Sequence, residues 1–555
     1  MTKREAAKNV LRYLAKAERR CGGRPALVGA DGEVWTFSDL DARVDWMAAG
    51  LRSEGVEAGD RVILMVPMSL KLYQVLLAVL KLGAVAVFVD PWVGAAQIAR
   101  FAAYAEPRGF VGVGKSHVVR LFNKELRTLP ITVTTGRRVC CMPARRMWSE
   151  VIQFDGPVAL YPNRPEDTAL ITFTSGSSGM PKGADRTHRF LGAQHEALNQ
   201  EFPYKDSDVD LPTFPVFSLN NLANGITTVI PDMDFRKVAD VDGARILEQM
   251  KESGVTTATA SPPFFDRLSE ALEVSGEGIG LRRLLTGGAP VTDRQLRRWR
   301  EAMPDTEIIV IYGSTEAEPV AHIGLAERLS LVEEGSARRA GYCVGRPAEA
   351  VSAKVIPIRR GPVVLEGGGW KELELEQGEV GELAVSGDHV CQRYFRNPEA
   401  TAENKIVEDD GRVWHRMGDT GYLDEEGRFW LTGRVHSTIV RDGVAIQAQV
   451  VEQVGRGSDE RIQRIAAVGM EDDIRGERLV VVVETDVASS VGRDELLFGV
   501  RARLKESEIE IDGLVCRTEP IPVDPRHNSK VDYGVLRGQL LQDEEGGRRV
   551  ESLEV

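Results

Sequence analysis

The chain has 555 residues, 43% of them hydrophobic and 28% charged, the balance of a globular protein too long for a single core. Its 70 basic and 83 acidic residues leave a net charge of −13, and aromatics make up only 6% without any interleaved basic stripe, which argues against nucleic-acid binding. Six scattered cysteines without C-x-x-C spacing suggest neither a zinc site nor a disulfide framework and fit a reducing cytoplasm, and no apolar run is long enough for a membrane span.

The N-terminal stretch carries Val10, Leu11, Leu14 and Ala17 on one side and Lys16, Arg19 and Arg20 elsewhere, and reads as the first helix of the fold rather than a signal segment. Ala26–Val28 and Val34–Phe37 flank Asp31-Gly32, a hairpin signature. Ser38 is expected to cap a helix bearing Leu40, Val44, Met47, Ala48 and Leu51, with Asp41 reinforcing its start. Then come a strand over 62–66, stopped by Pro67, a helix over 70–82 and a buried strand over 84–89: the βαβ unit of a parallel sheet. The alternation returns through Ile226–Ile230, a helix over 244–251 and Ile308–Ile311. From Gly378 short strands and turns such as 424–427 read as antiparallel β, and beyond Arg434 enough β and α signal remains for a small α+β domain. The expected fold class is therefore α/β. A large N-terminal domain (1–434) has mixed or parallel sheets flanked by helices plus a β segment. A small α+β C-terminal domain (435–540) follows, then a charged, Gly-rich tail (541–555) expected to be disordered.

The most informative stretch is Thr172–Gly183, Thr-Phe-Thr-Ser-Gly-Ser-Ser-Gly-Met-Pro-Lys-Gly, entered from the apolar run Ala169–Ile171. Gly176 and Gly179 let backbone N–H groups form a nest for phosphate oxygens, the hydroxyls of Thr174, Ser175, Ser177 and Ser178 add donors, and Lys182 adds a point charge. It is not a Walker loop, because Lys182 follows Pro181 and precedes Gly183. A flexible surface loop has similar composition, but no reason to follow a buried strand and end in Met-Pro-Lys-Gly.

A second anchor, Tyr312-Gly313-Ser314-Thr315-Glu316, ends an apolar strand, the place where open α/β sheets bind ligands. Tyr312 offers a flat face for a base, and Glu316 a hard oxygen ligand for Mg²⁺ beside phosphates. Gly287-Gly288-Ala289-Pro290 leaves room for a planar group, Asp419 could accept both hydroxyls of a ribose, and Arg434 supplies a charge at the expected domain boundary. Each alone has a bland alternative as a turn, cap or solvated charge; the joint order is the signal.

With these motifs the chain resembles the ANL adenylate-forming enzymes over roughly residues 25 to 535. The resemblance implies a large N-terminal domain, a small mobile C-terminal domain and activation of a carboxylate by ATP with Mg²⁺. It also implies that Thr174, Ser175, Gly176, Ser177, Ser178, Gly179 and Lys182 hold the pyrophosphate portion. Gly288, Ala289, Pro290 and Tyr312, with Gly313 and Ser314 in the same motif, would surround the nucleotide; Thr315 and Glu316 would serve the α-phosphate and Mg²⁺, and Asp419 and Arg434 the ribose. The late catalytic lysine would be Lys530, bridging the substrate carboxylate and the α-phosphate so that two anions can meet.

Departures from the usual pattern narrow the subgroup. Ser218 stands where many acyl-CoA synthetases carry His, the hinge reads Gly433-Arg-Val-His-Ser437, and Arg441-Asp-Gly-Val444 has one glycine where CoA ligases often have two. With Val229–Asp234 and Pro525–Lys530, these look like the β-lactone synthetases of bacterial olefin biosynthesis. Such enzymes adenylate a 2-alkyl-3-hydroxy fatty acid, whose own hydroxyl closes the lactone, so no second docking site is needed. The implied partners are a hydrophobic small-molecule acid and, in that pathway, a thiolase, an α/β-hydrolase and a reductase. The alternatives are a fatty-acyl-CoA synthetase and a nucleotide-binding protein without catalysis. His188 is a candidate for taking the hydroxyl proton, with a purely structural role as its rival, and Phe214, Phe217, Phe264 and Phe265 are candidates for the acyl pocket, with plain core as theirs.

Overall fold

The computed structural model describes residues 9–89, 94–136, 144–154, 156–174, 182–333, 341–523 and 531–545. The chain divides into two compact units that interleave in sequence. One comprises 1–325, 348–352 and 385–415, the other 326–347, 353–384 and 416–555. Residue 434 falls within the second unit, on the strand Phe429–Arg434.

In the first unit, a seven-stranded sheet is built on the βαβ unit read from the sequence. Arg61–Met65 lies between Gly109–Gly112 and Val85–Phe88, all parallel, and Val85–Phe88 leads on to Thr168–Thr174. Lys182–Thr187 closes that edge antiparallel. The crossover helix Leu70–Lys81, capped by Ser69, is buried along its length, as a helix covering a sheet must be. A second run of strands passes from Val209–Pro212 through Thr257–Ala260 and Arg283–Thr286 to Glu307–Ser314, again parallel. Ala317–Gly324 then turns back antiparallel on Glu307–Ser314. Leu14 and Ala17 of the first helix, Arg12–Cys21, join the core of this unit.

The helix expected to start at Ser38 runs from Phe37 to Ser53 and is capped by Thr36. The Thr36 hydroxyl accepts from the Asp39 amide at 3.0 Å, and the Asp39 carboxylate accepts from the Thr36 amide at 3.0 Å. The reciprocal box needs an acid three residues after the cap, and Asp39, not Asp41, has that spacing from Thr36.

In the second unit, Phe429–Arg434 pairs antiparallel with Tyr342–Pro347 and with residues 419–423, the latter the texture expected beyond Gly378. The five-stranded sheet centres on Gly476–Thr485, which pairs antiparallel with Ile462–Asp472 and parallel with Gly513–Arg517. Leu479, Val481 and Val483 face the helices Ala448–Arg456 and Ser490–Glu506, and Val480 and Val482 face the last helix, Tyr533–Glu545. This double coverage explains an unbroken apolar run where a half-exposed strand would alternate. Burial of Leu536 and Leu540 anchors the last helix, which continues to Glu545, five residues into the segment read as a disordered tail. No described helix is long and apolar enough to cross a membrane.

Candidate active site

The hairpin expected to bind phosphate is set by its two strands: Thr174 and Lys182 face each other across the antiparallel pair Thr168–Thr174 and Lys182–Thr187. Ser175, Gly176, Ser177, Ser178 and Gly179, between them, lie outside the described residues, as does Lys530. Lys182 reaches Asn404 Oδ1 at 3.3 Å and the Glu403 carboxylate at 3.6 Å, and sits 5.9 Å from the Tyr394 ring centre.

Next to that lysine, the Tyr-Gly-Ser-Thr-Glu motif is held by groups the sequence reading did not single out. Arg186, buried, donates two hydrogen bonds to the Thr315 carbonyl, at 3.1 and 2.6 Å, so Thr315 is fixed through its backbone. Ser314 Oγ accepts from the Glu316 amide at 3.2 Å. The Glu316 side chain is buried, and its Oε1 accepts from the Tyr394 hydroxyl at 2.9 Å. Lys405 and His415, paired across neighbouring strands and both buried, complete the cluster; Lys405 Nζ lies 5.3 Å from the Tyr394 ring centre and donates to the Cys391 carbonyl.

Burial alone would push the Glu316 carboxyl up, but His415, Lys405 and the Tyr394 hydroxyl outweigh it and hold the group below the usual carboxylate range. Burial and the neighbouring Lys405 depress His415 to about 3, so its ring is neutral near pH 7. Burial likewise lowers Lys405 itself and raises the Tyr394 phenol. One ionised carboxylate suits Mg²⁺, which takes one or two carboxylates and fills its shell with water and substrate phosphates. Among the described residues, no cluster of three or more His, Cys, Asp or Glu could hold a metal without such help.

The strands Arg283–Thr286 and Glu307–Ser314 are parallel neighbours, so Gly288, Ala289 and Pro290 leave the same sheet end as Tyr312 and Gly313. Gly288 has φ +80°, a conformation that favours glycine, and a Cβ on Gly287 would lie 2.4 Å from the Ile311 carbonyl oxygen. Tyr312 is buried, whereas Gly288 and Pro290 are exposed. Of the candidate acyl-pocket aromatics, Phe264 and Phe265 are fully buried core, Phe265 packing edge-on against Trp299. Phe217, with Phe214 at its edge, joins Leu285, Ile309 and Ile311. His188 is buried: its Nδ1 accepts from the Val10 amide at 3.2 Å, and burial drives it down to about 4.

In the second unit, Asp419 and Arg434 are cross-strand partners joined by an ion pair of 2.7 Å, with the Asp419 side chain buried and that of Arg434 44% exposed. Glu382, absent from the sequence-based candidates, braces this strand. It accepts from Arg416 Nε at 3.0 Å and Nη2 at 2.6 Å and from the Gly418 amide at 3.2 Å, one residue before Asp419. Tyr394, Lys405 and Glu382 carried no local motif; each acts on a residue tens of positions away in the sequence.

The AMP-binding enzyme family pattern matches residues 14–395. The chain is 34% identical over 523 residues to an olefin beta-lactone synthetase of Stenotrophomonas maltophilia, spanning 92% of this chain and 93% of that protein. It is also 34% identical over 531 residues to one of Xanthomonas campestris pv. campestris, spanning 92% of each. The fold superimposes on ATP-bound MatB from Rhodopseudomonas palustris with a TM-score of 0.78 at 21% identity, over 96% of this chain and 99% of that one. The Ser/Gly/Lys sequence motif, a braced Tyr-Gly-Ser-Thr-Glu motif and this likeness along nearly the whole chain lead to one conclusion: the protein belongs to the AMP-binding, adenylate-forming ANL family and is an AMP-forming ligase.

Proposed function

We propose that this ligase adenylates the carboxylate of a 2-alkyl-3-hydroxy fatty acid and then closes a β-lactone. A carboxylate oxygen attacks the α-phosphorus of ATP and pyrophosphate leaves. The substrate's 3-hydroxyl oxygen then attacks the acyl carbon, AMP leaves, and the hydroxyl proton passes to solvent. The observation that carries this reading is the 34% identity to olefin beta-lactone synthetases along 92% of the chain, and the departures at Ser218, Val435–Ser437 and Arg441–Val444 support it. An internal nucleophile is already at high effective concentration, so a CoA site is not required.

In this reading Thr174, Ser175, Gly176, Ser177, Ser178, Gly179 and Lys182 hold the pyrophosphate portion. Gly288, Ala289, Pro290, Tyr312, Gly313 and Ser314 surround the base, and Asp419 and Arg434 hold the ribose. Thr315 and Glu316 serve the α-phosphate side, Tyr394 and Lys405 keep Glu316 oriented and ionised, and Lys530 neutralises the meeting of carboxylate and α-phosphate. Mg²⁺, when bound at Glu316, would screen the phosphate charge. Arg434 marks the hinge between the large domain, 1–434, and a C-terminal lid, 435–540.

Product analysis with ATP, Mg²⁺ and a synthetic 2-alkyl-3-hydroxy fatty acid, with and without CoA, tests the proposal. A β-lactone with AMP and pyrophosphate, indifferent to CoA, is expected. An acyl-CoA formed only when CoA is present would make the enzyme a fatty-acyl-CoA synthetase.

A further inference from the structure

One short segment of the first unit touches two charged groups of the site. Tyr394, whose hydroxyl bonds Glu316, is bridged to Ala184 on the strand Lys182–Thr187, and the Phe395 amide donates to the Gly183 carbonyl at 2.8 Å. Asn397 then caps the helix Pro398–Asn404, its Oδ1 accepting from the Ala400 amide at 2.9 Å. The helix is tied back to Tyr394, whose amide donates to Thr401 Oγ1 at 3.0 Å. Its last residue, Asn404, reaches Lys182, and none of the roles above uses it.

Asn404 is held on three sides. Its Oδ1 accepts from Lys182 Nζ at 3.3 Å, its Nδ2 donates to the Ala400 carbonyl at 2.8 Å, and its own carbonyl accepts from His415 Nδ1 at 3.3 Å. The two side-chain partners settle which way the amide points. An ammonium only donates and a carbonyl only accepts, so the flipped amide would meet both with the wrong atom. The Lys182 side chain is only 14% exposed. The Glu403 carboxylate lies farther off, at 3.6 Å, and is 46% exposed, so water screens its pull. A neutral amide oxygen orients the lysine and leaves its full charge for an anion. A long side chain loses rotamer freedom when it closes on a ligand, and a contact that orders it beforehand lowers that cost.

We propose that Asn404 is a positioning residue: its amide oxygen sets the Lys182 ammonium in advance for the pyrophosphate portion of ATP. This rests on the assignment of Lys182 to that portion in the reading above. The segment from Tyr394 to Asn404 then serves both ends of the site, with its tyrosine on Glu316 and its asparagine on Lys182.

The test measures binding of ATP with Mg²⁺, and of AMP, by calorimetry in wild type, Asn404→Ala, Lys182→Met and the double variant. AMP lacks the pyrophosphate portion, so it reports whether the rest of the site stays intact. Asn404→Ala is expected to weaken ATP binding about fivefold, the order of one hydrogen bond, and to leave AMP binding unchanged. In the Lys182→Met background it should have no further effect, because the two residues act through one contact. Wild-type ATP affinity in Asn404→Ala, an equal loss for ATP and AMP, or losses that simply add in the double variant overturn the proposal. Wild-type ATP affinity in Lys182→Met refutes the assignment beneath it, so the two failures are told apart.

Discussion

The Tyr394 hydroxyl donates to Glu316 Oε1 at 2.9 Å, across 78 positions of sequence, with both side chains buried. The bond fixes the carboxylate and favours its ionised form, which is the form that binds a divalent cation. Tyr394→Phe should therefore raise the Mg²⁺ concentration for half-maximal ATP–pyrophosphate exchange several-fold, a loss on the order of 1 kcal/mol for one hydrogen bond. An unchanged Mg²⁺ response would remove Tyr394 from the site.

Asp419 is held by Arg434 at 2.7 Å, and Glu382 holds the preceding residue. Asp419→Ala should weaken AMP binding at least tenfold in calorimetry, since hydrogen bonds to a charged group are worth about 1.5–3 kcal/mol. Equal AMP affinity in the variant would refute the ribose assignment.

Lys530→Ala should depress pyrophosphate release by about a hundredfold, the order of loss when one electrostatic stabiliser of a developing charge is removed. Retention of the wild-type rate would move the catalytic charge elsewhere.

Glu452 is pushed up to about 7 by burial, against the opposing hydrogen bonds from the Ala467 amide at 3.0 Å and the Tyr533 hydroxyl at 2.7 Å. The folded state therefore holds this proton between the ordinary carboxylate range and pH 7 while the unfolded chain has lost it. Stability from this group is greatest at low pH and is lost as pH rises through that window. Glu452→Gln should flatten the fall in stability of the second unit between pH 5 and 8, by roughly 1–3 kcal/mol, read by amide exchange in strand Gly476–Thr485. A slope identical to wild type would assign the dependence to other groups.

Thr36→Ala should destabilise the start of helix Phe37–Ser53 by about 1 kcal/mol, seen as faster amide exchange at Asp39, while Ser38→Ala should do less. Equal effects would restore Ser38 as the cap.

By itself the sequence determined the α/β class, the βαβ unit at 61–88 and the two strand-end motifs. Periodicity and turn chemistry act over neighbouring residues, so they are legible without a fold. It also marked Lys182, Glu316 and Asp419 as candidates, because each sits in a short motif with its own spacing. Only the tertiary structure decided who holds them: Tyr394 and Lys405 at Glu316, Arg186 at Thr315, Glu382 behind Asp419. It likewise tied His188 to the Val10 amide and placed Phe264 and Phe265 in the fully buried core. The physical reason is range: a hydrogen bond or a buried charge acts over a few ångströms of space, and strand pairing brings together residues that the chain keeps far apart.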